Sequence, residues 1–181
     1  MFTAGERVVL GDLVTVQSGG SLTAAIDPAL TDSPFVFLQD ESPAAETSYQ
    51  VQFFVNLDDL AVATGDEIEQ FAAYDEAENA HVLLLLESGP TLALEVRDDV
   101  GAPHRVTWPN PLPTGWNRIA ISWQASPSAT ISLSVGDSSA VELTGVDTDE
   151  RRIETVRWGV VGGTLAASSG TIAMDQFSSW R

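Results

Sequence analysis

An all-β, two-sheet antiparallel β-sandwich is the fold class that this 181-residue sequence predicts. Three observations carry it. From Ser48 to Arg181 nearly every apolar stretch repeats with a period of two, the spacing that turns one row of side chains to a core and the other to solvent. Almost every break between those stretches holds Gly, Pro, Asp, Asn or Ser, the residues that reverse a chain. The longest aliphatic run, Val82 to Leu86, has the length of a strand and falls far short of the ~18 residues that cross a membrane.

The elements follow in order. Val8–Leu10, Leu13–Val16 and Ser21–Ile26 are short strand candidates, separated by Gly11-Asp12 and Gly19-Gly20. Asp27-Pro28 and Asp32-Ser33-Pro34 are turn signals. Phe35–Leu38 is short and apolar throughout, as a strand buried on both faces would be, and 40–46 is a polar loop. Ser48–Asn56 is the strongest strand: Tyr49, Val51, Phe53 and Val55 share one face, Gln50, Gln52 and Asn56 the other, and Phe54 breaks the polar row. Leu57–Ala63 reads as a single helical turn or an irregular strand. Ile68–Tyr74 is a strand, and Val82–Glu87 with Thr91–Arg97 form a hairpin closed by Ser88-Gly89-Pro90. His104–Trp108 is a shorter strand, followed by a Pro-rich loop, 109–115, that cannot pair within a sheet. Trp116–Trp123, Ala129–Val135, Ala140–Leu143, a strand carrying Val156, Trp158 and Val160, and a last strand to Arg181 complete a total of about a dozen. No linker composition divides the chain, so residues 1–181 are read as one domain, with 48–181 as its body and 1–47 as a less regular N-terminal part.

Twenty-six acidic residues face eight basic ones, for a net charge of −18, and all eight are Arg. Such a surface repels nucleic acid and anionic lipid, and no nucleic-acid partner or membrane insertion is expected. It suits high salt, where self-repulsion is screened. The absence of Cys excludes a disulfide framework, a thiolate metal site and a Cys nucleophile. The first residues, Met1 to Arg7, lack the basic and apolar regions of a secretion signal, so either the chain is cytoplasmic or a leader or larger parent was trimmed.

The segments Tyr49–Val55, Leu83–Glu87 with Leu92–Asp99, and Leu112–Trp123 together resemble the concanavalin A-like, laminin-G-like jelly roll. In that family a Pro/Gly loop precedes a Trp-x-Arg alternation, as at Trp116 to Trp123, and the last strand reads as Ile172–Phe177 does here. The likeness covers about 130 residues and is a matter of strand pattern; residues 1–47 match poorly. It implies one concave and one convex sheet, with the C-terminal strand near the N-terminal one. Its members include lectins, polysaccharide-degrading enzymes and accessory modules of secreted bacterial proteins.

Glycosidases of this fold alternate two or three carboxylates along one strand. Glu67 and Glu69 share a strand face but lack the third, while Asp75, Glu76 and Glu78 sit in a turn signal. Lyase chemistry needs a base and a cationic partner for a uronate, and around His81, His104, Tyr49 and Tyr74 no basic cluster stands in sequence. No Gly-x-Ser-x-Gly elbow, His-x-x-x-His pair or Lys-bearing phosphate loop is present. Calcium is the one expected ion, because it takes carboxylate and carbonyl oxygens from loops. Asp147 and Asp149, in the 147–150 loop, and Asp98-Asp99 offer such loop donors, and by the resemblance Asp175 of the last strand is a separate candidate, acting together with residues near the N-terminus. Among the aromatics, Trp123 and Trp158 alternate with aliphatics and read as core, and Trp116 resembles the family's structural Trp. Trp108, ahead of Pro109-Asn110-Pro111, is the candidate for stacking on a sugar, the alternative being that it packs under its Pro-rich loop, and Trp180 is read as a partner contact or as closing the sandwich.

The expectation is a non-catalytic, extracellular or cell-surface module that binds or adheres, with glycan as its ligand. The alternatives are a structural subunit whose partner is another subunit, contacted through 1–47, and a glycan-active enzyme with a degenerate motif.

Overall fold

The computed structural model describes residues 6–9, 14–16, 22–26 and 35–181, and these form fifteen strands and no helix. The strands are β1 (Glu6–Val9), β2 (Val14–Val16), β3 (Leu22–Ile26), β4 (Val36–Asp40), β5 (Ser48–Asn56), β6 (Leu60–Ala61), β7 (Glu67–Tyr74) and β8 (Ala80–Glu87). After them come β9 (Thr91–Arg97), β10 (Pro103–Thr107), β11 (Trp116–Gln124), β12 (Ala129–Val135), β13 (Val141–Val146), β14 (Thr155–Thr164) and β15 (Ser169–Trp180). Seven make one sheet in the order β1-β4-β14-β7-β8-β9-β10. Eight make the other, in the order β13-β12-β11-β5-β15-β3-β2 with β6 added against β15. Every pairing is antiparallel. The two sheets form a β-sandwich.

The N-terminal strands belong to this chain's own sheets. β4 lies between β1 and β14, and β3 pairs β15 from Leu22↔Met174 to Ile26↔Gly170. The last strand therefore does lie beside an early one. The turns expected at Gly11-Asp12, Gly19-Gly20, Asp27-Pro28 and Asp32-Ser33-Pro34 lie outside the described residues. Leu57–Ala63 resolves into a turn leading to the two-residue strand β6, and short elements of this kind raise the count above a dozen.

The period of two becomes a core between the sheets. Tyr49, Val51, Phe53 and Val55 of β5 and Ile119, Ile121 and Trp123 of β11 face Phe71, Leu84, Leu86, Leu92, Leu94 and Trp158 of the other sheet, all nearly free of solvent. Burying each such side chain contributes about 1.5–3 kcal/mol. The unbroken run from Val82 to Leu86 has its own explanation. Val82, Leu84 and Leu86 enter this core, while Leu83 and Leu85 join Ala72, Tyr74, Ala93 and Val161 in a second apolar cluster on the opposite face of the same sheet. Both faces of β8 are buried there, so polar alternation disappears. Arg157 lies across this second cluster, 4.4 Å from the Tyr74 ring and 5.2 Å from that of Phe37.

β14 must serve β4 on one side and β7 on the other, and it does so through an irregularity between Trp158 and Gly162. Gly159 sits in it at φ 147°, and a Cβ there would strike the Val36 carbonyl and the Phe37 backbone. Only glycine combines that dihedral with that approach.

Candidate functional site

The outward face of the eight-stranded sheet carries a groove of about 530 Å³. Its making is a matter of register. Ser132 of β12 pairs Ser122 of β11, Ser122 pairs Gln50 of β5, and Gln50 pairs Trp180 of β15. One row of side chains thus crosses four strands, about 14 Å at the usual spacing between strands. The next row runs Ser134, Ala120, Gln52, Ser178. Each outward residue alternates with a core residue, as Gln50 and Gln52 do with Tyr49, Val51 and Phe53. Ser48, Gln50, Gln52, Ser122, Ser132 and Ser134 line the groove, and Trp180, 52% exposed, stands at one side of it with Arg181.

The chemistry of the lining is uniform. A serine hydroxyl and a glutamine amide each donate and accept hydrogen bonds, and an exposed indole offers a flat apolar face with a polar edge. The arginines on this face are already engaged. Arg181 lies 3.7 Å from both Asp40 and Glu46 and donates to the Ser42 hydroxyl. Arg118, farther along β11, donates to Asp137 at 2.8 Å and to the Gly136 carbonyl.

A second set of polar groups lies on the outward face of the seven-stranded sheet. Arg105 of β10 reaches Glu87 of β8 at 2.6 Å and Glu67 of β7 at 2.9 Å. Glu69, next outward on β7, has no arginine within salt-bridge distance among the described residues. Its carboxylate lies over Gly162, where a side chain would collide with it. Burial, then the neighbouring carboxylates of Glu67 and Glu95, hold its carboxyl above the usual range. The sequence expectation that Glu67 and Glu69 share a face holds, but Arg105 engages Glu67, and Asp75 and Glu78 stand elsewhere: Asp75 caps its own turn and Glu78 pairs Arg157.

The loop expected to hold calcium brings Asp147 and Asp149 together with Asp99, their carboxylate oxygens within 4.8 Å of one another. Asp99 accepts from the Glu150 amide at 3.1 Å, and Arg151 lies 3.8 Å away. The Asp149 carboxyl is raised by its hydrogen bond with Asp99, with further contributions from burial and from Asp147. Asp175 is not part of that trio. It sits in β15 opposite Phe54 and accepts from the amide of Gln176 at the bulge that follows.

Two aromatic assignments need correction. Trp108, the candidate for stacking on a sugar, is 6% exposed and packs into the core, which is its alternative reading as a Trp under the Pro-rich loop; its amide donates to the Leu92 carbonyl and the Leu112 amide to that of Pro90. Trp116, expected to be structural, is 49% exposed and occupies an outward position of β11. The groove itself escapes a search for catalytic motifs, since it consists of Ser and Gln. Its trace in the sequence is that the outward positions of β5, β11 and β12 alongside it are Ser, Gln, Ala and Thr in a chain with 26 acids.

No family model and no curated protein matches the chain. Solved structures match in fold. The serotype D botulinum neurotoxin ligand-binding domain, solved with N-acetylneuraminic acid, superposes with a TM-score of 0.65 at 10% identity over 97% of this chain and 42% of its own. The receptor-binding domain of the mosaic serotype C/D neurotoxin gives 0.68 at 11% identity over 97% and 42%. The endo-β-1,4-glucuronan lyase of the fungus Trichoderma reesei gives 0.61 at 12% identity, over 96% of this chain and 86% of the lyase. The chain spans less than half the length of the neurotoxin domains. These likenesses place it among jelly-roll-like β-sandwiches.

Proposed function

We propose that this chain is a carbohydrate-binding β-sandwich module of the concanavalin A-like kind, acting outside the cell or at its surface. The observation that carries the reading is the groove beside Trp180: three strands of hydroxyl and amide side chains next to one exposed indole. A sugar ring presents hydroxyls at its edge and C–H groups on its face, and this surface offers a partner for each. The structural neighbours support the reading in that one was solved with a sialic acid and another is named for cleaving a polysaccharide. The module is read as non-catalytic because Arg105 ties up Glu67 and Glu87 on the other sheet in ion pairs.

The test is binding of the fluorescently labelled chain to an immobilised glycan array, beside Trp180→Ala and Trp116→Ala. Trp180→Ala is expected to lose binding and Trp116→Ala, exposed on the same face but outside the groove, to keep it. Equal binding by wild type and Trp180→Ala removes the groove from consideration.

A second reading, a glycan-active enzyme, has one observation in its favour: Glu69 is a half-buried carboxyl held protonated toward higher pH, as a general acid requires. Polysaccharide cleavage lost in Glu69→Gln, with groove binding intact, is the result that would establish it.

A further inference from the structure

We infer that the groove selects neutral glycans and rejects uronate- or sialate-bearing ones; the inference rests on the carbohydrate-binding reading above and narrows its ligand class. A carboxylate on a sugar is held most strongly by a cation free to meet it, above all an arginine fork, and only weakly by neutral hydroxyl and amide donors. The one cation lining this groove among the described residues, Arg181, is held by Asp40, Glu46 and the Ser42 hydroxyl. Arg118, the other arginine on this face, is occupied by Asp137 and a carbonyl.

The shortage extends over the molecule. Every arginine whose side chain is described lies within 4.0 Å of a carboxylate, except Arg152. Arg152 donates to the carbonyls of Asp149 and Arg151 instead. The groove's flank adds further negative charge, with exposed Glu142 paired beside Ser132 in the sheet. A polyanionic chain approaching this face meets a protein of net charge −18 and gains no ion pair to offset the repulsion.

The lining suits a neutral ligand for the same reason. Hydroxyls and amides discriminate by hydrogen-bond geometry and leave no buried charge unpaired when a neutral sugar displaces their water. Both kinds of ligand named for the neighbours, a sialic acid and a glucuronan, are acidic. Selection of neutral sugars is therefore a departure from them, written in this chain's own side chains.

The experiment is affinity gel electrophoresis of the full chain and of Trp180→Ala in two sets of soluble polysaccharides. The neutral set holds β-glucan, xylan, mannan and starch; the acidic set holds polyglucuronate, polysialate, alginate and hyaluronan. Each runs at 20 mM and 500 mM NaCl. Retardation by at least one neutral polymer is expected, at least ten-fold stronger than by any acidic one, unchanged by salt and lost in Trp180→Ala. Retardation by an acidic polymer that weakens in high salt overturns the inference and leaves the carbohydrate-binding reading standing. Retardation by no polymer of either set overturns both.

Discussion

His81 is a base buried too deeply to carry charge at neutral pH, and acidification should expose that fact. It lies in β8, 1% exposed, with its ring 5.6 Å from that of Trp123 in an edge-on contact. Neither ring nitrogen has a hydrogen-bond partner among the described residues. Burial pushes its pKa down from 6.5 to about 4, outweighing the opposing pull of the Asn79 backbone, with Arg151 adding a smaller push down and Asp75 a smaller pull up. The unfolded chain therefore takes up a proton near pH 6.5 that the folded chain refuses until about pH 4. Stability is complete above 6.5, falls as pH drops through that window and levels off below about 4. The gap corresponds to about 3 kcal/mol, a large part of a typical domain's stability. The assay is urea denaturation from pH 7.5 to 4 of wild type and of His81→Leu, an apolar side chain of similar bulk. Carboxylates such as Glu69 titrate nearby in both proteins, so the difference between the two curves isolates His81. The wild type should lose about 3 kcal/mol more than the variant over the range. Parallel curves, or a variant that loses more, would refute the burial argument.

Four further outcomes are expected. Trp180→Ala should weaken glycan binding by about 2 kcal/mol, roughly thirty-fold, as loss of an aromatic anchor does, with no change in Tm; titration calorimetry on a glycan found by array checks it. Gly159→Ala should cost about 3 kcal/mol, because the new Cβ meets the Val36 carbonyl while the backbone holds φ 147°; a denaturation midpoint equal to wild type would show that β14 can relax. Asp149→Asn should raise Tm by relieving the repulsion among Asp99, Asp147 and Asp149. Millimolar calcium should raise the wild-type Tm more than sodium chloride of equal ionic strength does, and equal shifts from the two salts would mean screening alone.

Much of the sandwich is legible in one dimension because strand periodicity is local. Tyr49, Val51, Phe53 and Val55, or Ile119, Ile121 and Trp123, declare their common face without reference to any partner, and each set is in the core. The hairpin of β8 and β9 follows from two apolar runs and the Ser88-Gly89-Pro90 break between them. Exposure at the end of a strand is not local in this way. Trp108 and Trp116 flank the same Pro-rich loop, and the sequence leaves two readings of Trp108; in the fold Trp108 extends the β9–β10 pairing beside buried Leu92 and is covered, while Trp116 is exposed.

The chain alone determines an acidic β-sandwich without disulfides, because composition and a period of two are properties of neighbours in sequence. The groove is a property of register. Ser132, Ser122, Gln50 and Trp180 lie up to 130 positions apart and form one row only because β12, β11, β5 and β15 are adjacent in that order. The pairing of Arg181 with Asp40 and Glu46, which removes the groove's one cation, likewise joins opposite ends of the chain. Contacts that far apart are set by which strands share a sheet, and only the tertiary structure settles that.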